Sequence, residues 1–366
     1  MDSSASYDPL KDGRRAGGRC RNDTGQERTP VLPALRRWTI TAIAAVTAST
    51  AALTGAHLTG QQPQAAKVAA VSYAPPEAKA IAAANLYVDP NSNPAAWVAA
   101  NPGDPRAARI KAAIADRPIA RWFGNWDSDI TAAVSRYVGG AAQTGATPVL
   151  VAYNVPGRDC GSHSGGGAGS PEAYRTWIGQ FATAIGDHRA IVVVEPDAVA
   201  QLDCLPNDSE RQIRLDLLRY GVQQFKQKAP NAWVYLDAAN ANWIPAGTMA
   251  QRLQAAGIAD ARGFSVNVSN YYTTEQSVTY AKAVNAGLPG GKTFVVDTSR
   301  NGNGSNGEWC NPAGRRLGTP PREGADAELE LWVKVPGDSD GDCGIGAGIP
   351  AGQFSPDLAI RLIDGT

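Results

Sequence analysis

Short apolar runs rich in β-branched and aromatic residues recur along the chain every few tens of residues. They are NLYVD (85–89), IARWF (119–123), PVLVAYN (148–154), AIVVVEP (190–196), WVYLDAA (233–239), GFSVNVS (263–269), KTFVVDT (292–298) and LELWVKVP (329–336). Several are apolar throughout rather than alternating, the pattern of parallel strands buried on both faces. Helical patterns lie between them. Ser170 and Pro171 open a segment carrying Tyr174, Trp177, Ile178 and Phe181, with serine placed to cap and proline at the first helical position. Ser209 and Gln212 form a capping-box pattern ahead of Ile213, Leu217, Leu218, Val222 and Phe225. This alternation predicts an α/β fold, a distorted (β/α) barrel of the TIM type with seven or eight parallel strands. Gly- and Pro-rich loops after several strands are expected to make it irregular.

A different pattern precedes the first run. Residues 1–37 are polar and arginine-rich, 38–60 are apolar and free of acids, and 61–82 are dominated by Gln, Pro and Ala. This order reads as a leader, a signal peptide or signal anchor, and a linker, leaving 83–366 as one barrel-sized catalytic domain. The expected location is extracellular, or membrane-anchored facing outward if the apolar segment is retained. Cysteine usage agrees with export. Cys20 lies in the leader, and Cys160, Cys204, Cys310 and Cys343 in the domain contain no C-x-x-C. Two structural disulfides, in one of three pairings, are expected.

Charge and composition narrow the chemistry. Lys plus Arg and Asp plus Glu are 34 each, so the chain lacks the basic excess of a nucleic-acid binder. Of three histidines, His57 lies in the apolar segment, and His163 with His188 are too few for a multi-histidine metal site. Neither metal nor cofactor is expected. Acids, by contrast, sit at the ends of the apolar runs: Asp159, Glu195 with Asp197, Asp237, Asp297 ahead of Arg300, and Asp338 with Asp340. In a (β/α) barrel these ends gather at the face that carries the chemistry. One such Asp is commonly a helix cap, but five acidic clusters predict carboxylates that raise one another's pKa. Trp122, Trp126, Tyr153, Trp243, Tyr271, Tyr272 and Trp309 occupy the same loops. Trp243 and Trp309, set among Asn, Gly and Pro, are expected to be exposed. Indole faces beside carboxylates suit sugar rings, and a protonated carboxyl suits a glycosidic leaving oxygen.

At these motifs the chain resembles glycoside hydrolase family 6, the cellulases comprising inverting endoglucanases and cellobiohydrolases. YNVPGRDCGSHSGGGA, VVVEPDA, NVSNYYTT, VDTSRNGNG, EWCNP with GRRLG, and PGDSDG follow in order over about 280 residues. The resemblance implies a distorted barrel that cleaves β-1,4-glucan with inversion. It aligns Asp197 with the general acid, Asp159 with the aspartate that raises the acid's pKa and relays protons, and Asp340 with the base. Tyr153, Asp237, Asn240, Asn270, Arg300, Lys334 and Asp338 align with substrate-binding positions, and Trp122, Trp243 and Trp309 with sugar-stacking tryptophans. It pairs Cys160 with Cys204 and Cys310 with Cys343. Asp197 follows Asp159 by 38 positions and Cys343 follows Cys310 by 33, short segments that resemble the open-cleft endoglucanases.

Three positions depart from the family pattern. The usual D-A-G-H reads Asp237-Ala238-Ala239-Asn240, so a histidine is replaced by Asn240. The Glu two residues before the base is Asp338, and a common Ser-Ser reads Ser164-Gly165. With the acids intact, the expected activity is an exported endo-β-1,4-glucanase acting as a monomer on soluble or amorphous β-glucan. No separate carbohydrate-binding module is evident. The alternatives are a catalytically impaired glucan-binding or wall-associated protein of the same fold, and a cellobiohydrolase.

Overall fold

The computed structural model describes residues 85–366, so the leader, apolar segment and linker at 1–37, 38–60 and 61–82 lie outside the described residues. Two short helices, α1 (Asn93–Ala100) and α2 (Ala107–Ile110), lead in, and α2 continues as a π-helical turn (Lys111–Ala115). The barrel follows: β1 (Arg121–Phe123), α3 (Ile130–Gln143), β2 (Val149–Ala152), α4 (Pro171–Ile185), β3 (Ala190–Val194), α5 (Asp208–Lys228) and β4 (Ala232–Asp237). It continues through α6 (Ala246–Ala255), β5 (Gly263–Val266), α7 (Thr274–Ala286), β6 (Thr293–Asp297), β7 (Arg322–Glu323), β8 (Leu329–Leu331) and α8 (Pro356–Asp364).

The sheet order is β1-β2-β3-β4-β5-β6-β8-β7, parallel throughout except for β7 against β8. This is the expected distorted α/β barrel. Its seam lies between the two ends of the curled sheet, where Ala120 N donates to Trp332 O at 2.9 Å and Trp122 Nε1 donates to Val333 O at 2.8 Å.

Both faces of the strands are apolar because both are covered. Leu150, Val192, Leu236, Phe264 and Val296 face the helices, while Val151, Val193, Tyr235, Val295 and Leu331 pack inside the barrel. The two-residue period then carries polar groups inward at the top. Val149 and Val151 lead to Tyr153, Trp233 and Tyr235 to Asp237, and Val295 to Asp297, whereas Glu195, at φ +51, leaves the alternation and lies against Tyr174 of α4 and Arg214 of α5. Alternation therefore delivers Asp237 and Asp297 to the mouth of the barrel, while the loops place Asp159, Asp197, Asp338 and Asp340.

Three expectations change. Residues 85–89 form no strand but a single parallel bridge, Leu86 with Thr147, because Asp89-Pro90 turns the chain away toward α1. β7 was not legible in the hydrophobic pattern. It consists of two exposed charged residues, held in part by the Arg322 Nε to Glu330 Oε2 contact of 2.8 Å. Ser170 caps α4 as expected, accepting from Ala173 N at 3.1 Å. The capping box at Ser209 and Gln212 does not form. α5 starts earlier, with Asn207 in extended backbone accepting from Glu210 N at 2.9 Å.

Candidate active site

The loops after the strands enclose a cleft of about 1430 Å³. Trp122, Trp126, Tyr153, Asp159, Asp197, Asn240, Trp243, Asn270, Trp309, Lys334, Asp338 and Asp340 reach its surface. Asp237 and Arg300, both expected to touch substrate, lie directly behind that surface, 1% and 3% exposed. The backbone is unusual here. Asp159, Cys160, Glu195, Asp197, Ala239, Asn267, Ser269 and Asn311 all have positive φ, and all lie on loops at this end of the barrel. Such strain persists only where surrounding contacts over-determine it, and it gathers at functional sites.

The β3 side holds the candidate acid. Asp197 follows Glu195-Pro196 just past the end of the strand, and its amide donates to Asp237 Oδ2 at 2.9 Å. Among the described residues no group donates to the Asp197 carboxyl, which is left facing the cleft. Burial, then Asp237, then Asp159 push its pKa well above the usual carboxylate range. Asp237 also accepts from Ala239 N at 3.0 Å and Ser265 Oγ at 3.1 Å, and burial raises it to about 6. Glu195 serves structure. Its carboxylate accepts from Asn154 N at 2.9 Å and Val155 N at 2.9 Å, fixing the exit of β2, and burial raises it to about 7.

Asp159 sits on the loop after β2, where its Oδ2 accepts from Ser164 N at 2.8 Å and Ser164 Oγ at 2.9 Å. Ser164 Oγ lies 3.2 Å from the Tyr153 hydroxyl, so Tyr153, Ser164 and Asp159 form one hydrogen-bonded row. The loop can double back on β2 because Gly167, at φ +97, lies too close to Val155 O for any side chain. Arg158 bonds Ser164 O at 2.8 Å and Asn125 Oδ1 at 2.9 Å, with its guanidinium over the Tyr153 and Trp126 rings.

The β8 side is built differently. Asp340 accepts from Arg300 Nη1 at 2.9 Å, the Tyr271 hydroxyl at 3.0 Å and Asn311 N at 3.1 Å, and lies 3.2 Å from Lys334 Nζ. Burial alone would raise its pKa, but Arg300, then Lys334, then these hydrogen bonds hold it at about 2. Two residues earlier, Asp338 has among the described residues a single side-chain donor, Asn93 Nδ2 at 2.8 Å, and its other oxygen is buried without one. Burial raises Asp338 to about 7 despite Lys334.

Both disulfides staple these loops. Cys160–Cys204 ties the Asp159 loop to the turn after β3, and Cys310–Cys343 ties the Trp309 loop to that of Asp340. His163 joins the two sides. Its ring lies 6.0 Å from that of Trp309 and against Gly341, where there is no room for a Cβ. His163 also lies close to Cys310 and Cys343, but their sulfurs are joined to each other and offer no thiolate ligands. Asn240 spends its Oδ1 on Asn242 N at 3.1 Å, while among the described residues its Nδ2 has no partner. Asn270 Nδ2 caps Val268 O at 3.1 Å. Sequence reasoning missed Asn93, Arg158, Tyr271 and Asn311 as supports of the acids. Arg158, adjacent to Asp159, and Tyr271, among the loop aromatics, carried a local signal.

One carboxyl pushed up by burial and like charge and another held low by cations, in a cleft walled by indoles, is the arrangement of a glycoside hydrolase. Residues 81–364 match the family described as glycosyl hydrolases family 6, and the chain belongs to that family. It is 52% identical over 285 residues to endoglucanase 1 of Streptomyces halstedii, covering 76% of this chain and 88% of that one. It is 45% identical to endoglucanase A of Cellulomonas fimi, again over 76% of this chain but only 60% of that longer protein. The endoglucanase Cel6 of Mycobacterium tuberculosis, solved with methyl-cellobiosyl-4-deoxy-4-thio-β-D-cellobioside, superposes with a TM-score of 0.71 at 41% identity, covering 76% of this chain and 96% of that one.

Proposed function

We propose that this cellulase-family protein is an exported endo-1,4-β-glucanase that hydrolyses internal bonds with inversion. The observation that carries the reading is the Asp197 carboxyl, raised by burial, Asp237 and Asp159 and free to donate into the cleft. Asp197 gives its proton to the glycosidic oxygen as the bond to the anomeric carbon breaks, and water adds to that carbon from the opposite face. The water's proton passes toward Asp159 along the row that Ser164 organises. Asp340 stays anionic and stabilises the oxocarbenium charge without bonding to it. Its lone pairs are taken by Arg300, Tyr271, Asn311 and Lys334, which makes it a poor nucleophile and a poor base. That favours direct attack by water over a covalent glycosyl intermediate, and hence inversion.

Internal attack is supported by the short loops and by Trp126, Trp243 and Trp309, exposed by 54%, 42% and 50% along the cleft. The cello-oligosaccharide analogue in the Mycobacterium tuberculosis relative points to the same ligand class here. Export rests on the arginine-rich leader and the apolar segment 38–60. Recovery of the chain only from the cytosol would contradict it.

The direct test incubates the full-length protein, and its Asp197→Ala variant, with carboxymethylcellulose while viscosity and reducing ends are followed together. A fast viscosity fall with few new ends, absent in the variant, is expected. New ends with little loss of viscosity would favour a cellobiohydrolase. Retention on cellulose with no change in either signal would favour the impaired glucan-binding protein and make Asn240 the first suspect.

A further inference from the structure

Trp126 is the most exposed large apolar side chain among the described residues, at 54%, and it is nonetheless fixed. Its six-membered ring packs so tightly on Gly124 that a Cβ there would overlap it. The turn beneath is closed by Asp127 N to Gly124 O at 3.1 Å and Gly124 N to Asp127 Oδ2 at 3.2 Å. Arg158 stands 5.1 Å from the centre of the indole, itself held by Asn125, Ser164 and the Tyr153 carbonyl. An indole held by a glycine, a closed turn and a guanidinium itself fixed by three hydrogen bonds has little rotamer freedom left to lose on binding.

Trp126 also stands in the right place. Trp122 lies within β1 and is half-buried, edge-on to Tyr153 at 5.2 Å beside the acids. Trp126 lies past the end of the same strand, on the cleft wall. A glucan chain running outward past Trp122 would meet a second apolar face there, and pyranose C–H faces stack on indoles.

The geometry points to Trp126 as a further glucose-stacking platform, an outlying subsite engaged by long glucan chains and not by short ones. This rests on the glucanase reading and adds to it a dependence on chain length. Its test measures binding of cellotriose, cellotetraose and cellohexaose by calorimetry to full-length protein carrying Asp197→Ala, with and without Trp126→Ala or Trp126→Phe. Turnover of the same sugars by the wild type is followed in parallel.

Trp126→Ala is expected to weaken cellohexaose binding about tenfold, leave cellotriose unchanged, and be largely rescued by Trp126→Phe. Equal weakening at every length would overturn the subsite and leave Trp126 a prop for Arg158, and no weakening at any length would overturn it outright. Length-dependent binding that needs Trp126, with no turnover by the wild type, would uphold the platform while ending the hydrolase reading. No binding of any cello-oligosaccharide would end both.

Discussion

The two sides of the cleft use the same residue type to opposite ends. On the β3 side Asp197 is surrounded by other carboxylates, with Asp237 bonded to its own amide and Asp159 across the loop, and its carboxyl receives no donor among the described residues. On the β8 side Asp340, equally enclosed, is met by a guanidinium, an ammonium, a phenol and an amide. Burial pushes both upward, so desolvation does not distinguish them. The sign of the neighbours does, leaving a proton donor on one side and a standing anion on the other.

The largest expected effect breaks the β3 side. Asp197→Asn should lower kcat on soluble glucan by about 10²–10⁴-fold, with the melting temperature unchanged or raised because a crowded carboxyl is removed. Retained turnover would remove Asp197 from the chemistry. Breaking the β8 side should appear in stability as well as rate. Asp340→Asn strands the buried Arg300 and should cost about 3–5 kcal/mol in urea unfolding. A loss below about 1 kcal/mol would mean the clamp is looser than its geometry implies.

Smaller changes sharpen the comparison. A general acid must be protonated, so activity falls as pH rises through the pKa of Asp197, and removing a nearby negative charge lowers that pKa. The alkaline limb of kcat/KM should therefore move to lower pH in Asp237→Asn and by less in Asp159→Asn. A shift in the opposite direction in either variant would refute this assignment of causes. Asp338, raised to about 7, contributes stability that is full below the unfolded value near 4 and is lost as pH rises through 7. The stability gap between Asp338→Asn and the wild type should thus widen from pH 4 to 7 and stay flat above. Melting curves across that range would show it, at the level of about 4 kcal/mol.

Much of this arrangement was legible because it is local and periodic. Seven of the apolar runs hold the strands, and Asp237 at the end of one follows the inward parity of Trp233-Tyr235-Asp237. Trp243 and Trp309 are exposed, as their polar surroundings implied. What sequence did not show depends on distant pairing. Asn93 reaches Asp338 across 245 residues, and Tyr271 reaches Asp340 across 69, with no motif linking them. β7 exists through pairing with β8 and an ion pair, not through its own pattern. The placement of Asp237 behind the cleft wall follows from its three donors, Asp197 N, Ala239 N and Ser265 Oγ, two of which belong to loop backbone with no sequence signature.

The opposition of the two sides can be observed without any substrate. Carbon-13 labelling of the aspartate carboxyls, with Asp197→Asn and Asp340→Asn to assign the signals, would let both groups be titrated by NMR in the folded protein. The account predicts that Asp197 takes up its proton well above the usual carboxylate range while Asp340 stays ionised down to about pH 2. Titration of both near the ordinary aspartate value of about 4 would contradict it.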